Sequence, residues 1–164
     1  MIKSNPGTEA VFRISSKGDV YADKSYHGQE FVSGKADLAE TVKITEQVEA
    51  GDVLCLNPLN RNGYRKCRDS YSSLVSGVVS SEPGIVLSSE TRHSKAPLAL
   101  MGRVPVKATA ENGPINPGDL LTTSSKTGYA MLCQDRKKCT GAIVGKAIDS
   151  LEEGKGKIKM LVVN

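Results

Sequence analysis

Asp37 and Glu40 stand three residues apart in the run Ala36-Asp37-Leu38-Ala39-Glu40. On a helical turn this spacing puts both carboxyls on one face, within reach of each other. Close carboxyls in a partly dry site have their pKa values driven apart, so one holds a proton while the other accepts one. Acid–base cleavage of an amide needs that arrangement. The same D-x-x-E spacing before an apolar stretch also makes an N-cap with its capping-box partner, and residue type leaves both readings open. The four cysteines are the next candidates. Cys133 and Cys139 bracket the polar segment QDRKK, where a hairpin tip sets the sulfurs opposite each other and closure contributes about 2–3 kcal/mol in the chain-entropy model. Cys55 and Cys67 pair less readily, because a hairpin turning on Asn62-Gly63 leaves them about three positions out of register. Buried thiols are the alternative to a disulfide.

Other chemistry is sparse. The cysteine spacings lie wide of C-x-x-C, and neither H-E-x-x-H nor G-x-S-x-G occurs, so no metal and no cofactor is expected. Ser125-Lys126-Thr127-Gly128 lacks the leading Gly and following helix of a phosphate loop and reads as a hairpin turn. His27 and His93 fall in polar loops, with no nucleophile singled out beside them. Basic residues gather in two loops, Arg61, Arg65, Lys66 and Arg68 in one, Arg136, Lys137 and Lys138 in the other. They are candidate contacts for an anionic surface such as an envelope polysaccharide or receptor. With no Trp and no aromatic-basic stripe, nucleic-acid binding is not expected.

The elements that must carry these groups are short strands. The chain has 164 residues, a net charge of +4, sixteen Gly and seven Pro, set among brief Val/Ile/Leu runs. That length suits one main domain, and no apolar run approaches the roughly 20 residues of a membrane helix, so membrane insertion is not expected. The N-terminal MIKSNPGTEA has no apolar core, so no secretory signal is visible. Residues 9–33 hold three short strand-like pieces, separated by Lys17-Gly18-Asp19 and His27-Gly28. Only Ala36 to Val42 reads as a short helix, before Val42-Lys43-Ile44 resumes as strand. Glu49-Ala50-Gly51-Asp52-Val53-Leu54 is echoed by Asn116-Pro117-Gly118-Asp119-Leu120-Leu121. Gly77 then follows Gly51 by 26 residues, and Gly145 follows Gly118 by 27. Between the halves, Pro97–Lys107 reads as a long strand bent at Gly102 and pushed toward an edge by Pro105. The expected fold class is all-β, a compact barrel or sandwich of two similar halves over 34–164, preceded by short shaft-like strands over 1–33.

GKADLAETV, EAGDVLCL, YSSLVSGVVSSEPGIVL, PLALMGRVPVKATAENGPINPGDLLTTSSKTGYAM and GAIVGKAIDSLEEGKGKIKMLVV occur in that order. Together they resemble a bacterial and phage domain found at the C-terminal end of fibrous surface and tail-fibre-like proteins, over roughly residues 34–163. AVFRISSKGDVYADKSYHG resembles the last β-repeat of a fibre shaft. The resemblance implies an intertwined homotrimer, a structural or adhesive fibre tip, and a place on a phage virion or cell surface. The domain is also similar to the self-cleaving glutamic peptidase G2 group of phage appendage proteins. That similarity implies Asp37 and Glu40 as a catalytic pair for a single-turnover autoproteolysis between Ala36 and Asp37. Thr41-Val42 departs from the aromatic residues that follow the pair in that group.

Overall fold

The computed structural model describes residues 12–18, 20–22, 34–35, 37–88 and 94–163. Two compact units divide the chain, Met1–Val32 and Ser33–Asn164. In the first, β1 (Phe12–Ile14) and β2 (Val20–Ala22) pair antiparallel, with Ile14 opposite Val20. Gly18 turns the chain between them at φ 88°, a left-handed value that favours glycine. The third strand-like piece and the His27-Gly28 turn lie outside the described residues, as do His93 and Ala36.

The second unit is all-β, and among the described residues no helix forms. Its strands are β3 (Asp37–Ile44), β4 (Val53–Leu56), β5 (Gly63–Lys66), β6 (Val75–Val79), β7 (Ile85–Ser88), β8 (Lys95–Thr109), β9 (Leu120–Thr123), β10 (Ala130–Leu132), β11 (Ile143–Ala147) and β12 (Lys155–Val162). The pairings close two rings of five strands. In the first, β3, β8, β6, β4 and β5 follow one another, and β5 returns to β3 through a parallel pairing at Lys43↔Gly63 and Ile44↔Tyr64. In the second, β8, β12, β11, β9 and β10 do the same, closing through the parallel bridge Ala130↔Ala108. The fifteen-residue β8 is common to both: its N-terminal half belongs to the first ring and its C-terminal half to the second. Gly102, at φ 111°, is the bend between them and pairs with Asp37 on one side and Val162 on the other.

The internal repeat is carried by equivalent hydrogen bonds. Asp52 Oδ2 accepts the N–H of Glu49 at 2.9 Å, and Asp119 Oδ2 accepts that of Asn116 at 2.8 Å. Gly51 donates to the Val79 carbonyl and Gly118 to that of Ala147, both at 2.9 Å. The same bulge follows in each ring, at Leu54↔Gly77 and at Leu121↔Gly145. Both glycines are needed for close approach, since a Cβ would lie 2.8 Å from the Ala99 carbonyl oxygen at Gly77 and 2.4 Å from that of Leu161 at Gly145. Matching the registers pairs Val42 with Val106, Leu54 with Leu121, Val79 with Ala147 and Leu98 with Met160, all buried inside their rings. The first ring also lends its outer wall to the second. Val53, Cys55, Val78 and Ala99 belong to the same apolar cluster as Val104, Val106, Leu121 and Met160.

Three expectations need correction. Residues 37–42 are strand, not helix, and run on into the expected strand at 43–44: β3 is held by β8 along one edge and by β7 and β5 along the other, and this pairing overrides the helix-favouring Ala, Leu and Glu. The strand carrying Pro105 is central rather than peripheral. Proline fits because it falls between the stretch that pairs with β3, ending at Gly102, and the bridge to β10 at Ala108. Cys55 and Cys67, expected to pair less readily, are joined as a disulfide, while the Cys133–Cys139 disulfide forms as expected. The β4–β5 loop is centred on Asn60, with Cys55 opposite Arg65, so Cys67 sits diagonally across on the same face.

Candidate functional site

The carboxyl pair does not share a face. In an extended strand, residues three apart project to opposite sides. Asp37 is buried, and its Oδ2 has no hydrogen-bond partner among the described residues. Glu40 is exposed, at the position where the second ring has the buried Val104. Its charge is felt by Tyr64, whose pKa is raised first by burial and then by Glu40. The shared-face geometry that motivated an acid–base pair is therefore absent, and the Ala36–Asp37 bond begins outside the described residues.

The two basic loops are not equivalent. Arg61 lies in the hairpin loop between β4 and β5, whereas Arg136, Lys137 and Lys138 lie in the crossover from β10 to β11. Several of these cations already have partners. Arg68 pairs with Glu46, whose other carboxylate oxygen accepts the Lys66 N–H at 2.7 Å. Lys138 stands 5.7 Å from the centre of the Tyr71 ring. The Nε of Arg65 is buried without a partner among the described residues. Arg61, Arg136 and Lys137 remain exposed, and the Cys133–Cys139 disulfide pins the second loop at its base.

A polar cluster unforeseen from sequence fastens the turn before β4 to the shared strand. Asp52, 1% exposed in its side chain, accepts a 2.6 Å hydrogen bond from Lys107 Nζ, which is itself 12% exposed. Lys107 also bridges to Glu49 and lies 5.8 Å from the centre of the Tyr129 ring, with Lys155 at 5.4 Å from the same ring. Burial acts to lower the Lys107 pKa, but its hydrogen bonds to Asp52 and Glu49 and their charges outweigh this and raise it. Glu49 is held below its ordinary value, first by the Lys107 hydrogen bond and then by the Lys107 charge. Gly128 leaves room for the carboxylate: a Cβ there would lie 2.8 Å from Asp52 Oδ1.

The remaining feature is apolar. β7 pairs with β3 alone among the described strands, and its Ile85, Val86 and Leu87 are 43%, 46% and 51% exposed. Successive strand residues face opposite sides, so both faces of this edge are greasy. One face runs on across the sheet: Ile85 is opposite Leu38, Leu38 is opposite Met101, and continuing the β8–β12 register brings Met101 beside Val163. Met101 and Val163 are exposed. Among the described residues no group of His, Cys, Asp and Glu side chains is placed to hold a metal ion.

No protein-family model matches this chain, and no curated protein matches it. Among solved structures, the head fiber gp8.5 N base of bacteriophage phi29 superposes with a TM-score of 0.46. That alignment has 16% sequence identity and covers 76% of this chain and 92% of that one.

Proposed function

We propose that this chain is a structural self-association module, a homotrimeric fibre tip that registers three copies and covers their open strand edges on a virion or cell surface. The edge strand β7 is the observation that supports this reading. A parallel strand with apolar residues in continuous sequence is the pattern of a strand buried on both faces, yet among the described strands it lies at the margin with about half of that surface open. Unpaired edges of this kind invite another strand. A further copy of the same chain supplies one and closes the set under rotational symmetry. The resemblance to fibre tips seen in the sequence gives the threefold count.

Light scattering beside intact mass tests the proposal. The parent is expected at three times 17.4 kDa. Val86→Lys, which puts a charge on the edge and leaves both rings untouched, is expected to give monomers with unchanged ring stability. A parent that stays monomeric at high concentration overturns the reading.

A further inference from the structure

We infer that the outward face of β12 with its neighbours β8 and β11 is a binding face for a linear acidic glycan. On β12, Ile158, Met160 and Val162 are buried, so the alternate residues Lys155, Lys157 and Lys159 point outward. Their spacing along the strand is about 6.7 Å per pair of residues. The register widens this ladder into a patch. Lys157 is opposite Lys107, and Leu161 lies between Arg103 on β8 and Lys146 on β11. Among the described residues, the side chains of Arg103, Lys146, Lys157 and Lys159 make no salt bridge or hydrogen bond.

Two observations set this patch apart from an ordinary solvated face. Arg103, Lys146, Lys157 and Lys159 stand on three adjacent strands without an ion-pair partner among the described residues, whereas Lys107, opposite Lys157, is compensated by Asp52 and Glu49. The duplicated ring also provides an internal comparison. Matching the registers places Lys146 where the first ring has Val78, which is fully buried in the wall between the rings. Freed from packing, the equivalent face carries cations.

The chemistry of the partner follows from what lies between the charges. Pro105, Ile148 and Leu161 are exposed there and give a flat apolar footing suited to the carbon faces of a sugar chain. Among the described residues the aromatic ring near the patch, Tyr129, is engaged by Lys107 and Lys155 and is not a free platform for stacking a nucleic-acid base. An acidic glycan therefore fits better than a single-stranded nucleic acid.

Binding of the full chain to polygalacturonate, with neutral dextran and a single-stranded oligothymidylate beside it, tests the inference. The parent should bind polygalacturonate and not dextran, with affinity falling steeply above about 0.15 M salt. Lys157→Glu/Lys159→Glu should weaken binding by roughly tenfold or more, while Arg136→Glu/Lys137→Glu leaves it within about twofold. Should the reversal variant fold poorly by circular dichroism, Lys157→Gln/Lys159→Gln replaces it with the same expected direction. Absence of binding, equal binding by the β12 variant, an equal loss in the crossover-loop variant, or oligothymidylate binding as tight as that of the glycan overturns the inference. A monomeric protein that binds keeps it while removing the trimer; a trimer that fails to bind does the reverse.

Discussion

Replacing Lys107 by Met tests how the two rings are fastened. The Asp52 carboxylate is almost wholly out of water and takes two hydrogen bonds, one from the Glu49 N–H and one from Lys107 Nζ. Methionine keeps the apolar stem of the side chain but removes the charge that compensates the carboxylate. Breaking a buried pair from one side costs about 3–5 kcal/mol. Because the Glu49 N–H remains in place, the lower end applies, roughly 3 kcal/mol. With a urea slope near 2 kcal/mol/M, the unfolding midpoint should fall by about 1.5 M. Glu49→Gln serves as the contrast: that carboxylate is solvent-facing, so the midpoint should fall by only a small part of the Lys107→Met loss. The double variant Lys107→Met/Asp52→Asn removes the stranded charge and should recover a large part of the loss. The acid limb gives a further readout. Glu49 has a lowered folded pKa, so its contribution is present above about pH 4.3 and fades as pH falls through the folded value. In Lys107→Met this limb should shrink. A Lys107→Met protein within 1 kcal/mol of the parent (roughly 0.5 M urea), or a double variant no better than the single, would refute the idea that a buried pair ties the turn to the shared strand.

The disulfides should differ in weight. Cys55–Cys67 closes a separation of 12 residues and Cys133–Cys139 one of 6. Loop entropy assigns them about 3 and about 2 kcal/mol, and Cys55→Ala/Cys67→Ala should be the worse variant because it also thins the wall between the rings; equal or reversed losses in guanidinium unfolding would reject this order. Tyr64 should ionise above the ordinary tyrosine value of about 10, read as phenolate absorbance lost in Tyr64→Phe. Its neutral form supports the fold below about pH 10 and that support is lost as pH rises through the raised folded value. Glu40→Gln should bring the Tyr64 transition down only in part, since burial is the larger cause; an unchanged curve would place Glu40 elsewhere.

Local chemistry was legible in the sequence where it satisfies itself within a few residues. The two Gly-Asp turns could be recognised because each aspartate bonds back to an N–H three residues earlier, and the bulge glycines kept their spacing with them. The all-β fold of two similar halves was legible, but the strand order that closes each ring was not, since closure depends on parallel pairings such as Lys43↔Gly63 between segments that share no turn. Asn62-Gly63 misled for a related reason. Gly63 is not there to turn the chain: a Cβ on it would lie 2.6 Å from Thr45 Cγ2, so it is required by a neighbour distant in sequence. With the turn placed two residues too late, Cys55 and Cys67 appeared out of register. The shared face expected of the carboxyl pair was lost in the same way, because a spacing of three means one face in a helix and two faces in a strand, and tertiary pairing chose the strand.

Duplication explains why one chain offers both an apolar and a basic surface. Val53, Val78 and Ala99 on the outer wall of the first ring correspond to Leu120, Lys146 and Leu161 in the second. The first three are fully buried, because the second ring packs on them. Among the described residues nothing packs in that way on the second set, and Lys146 and Leu161 are exposed. Two like units packed through unlike faces always leave one face of each kind without a partner. At that outward wall a cation costs little packing and provides a contact for an external polymer. The β7 edge stays apolar, which suits a strand that another copy covers. The apolar strip from Ile85 through Leu38 and Met101 reaches Val163, two residues on from Leu161 of β12, so the two proposed surfaces adjoin on one face, with Val86 on β7 and Lys157 on β12 lying away from that junction.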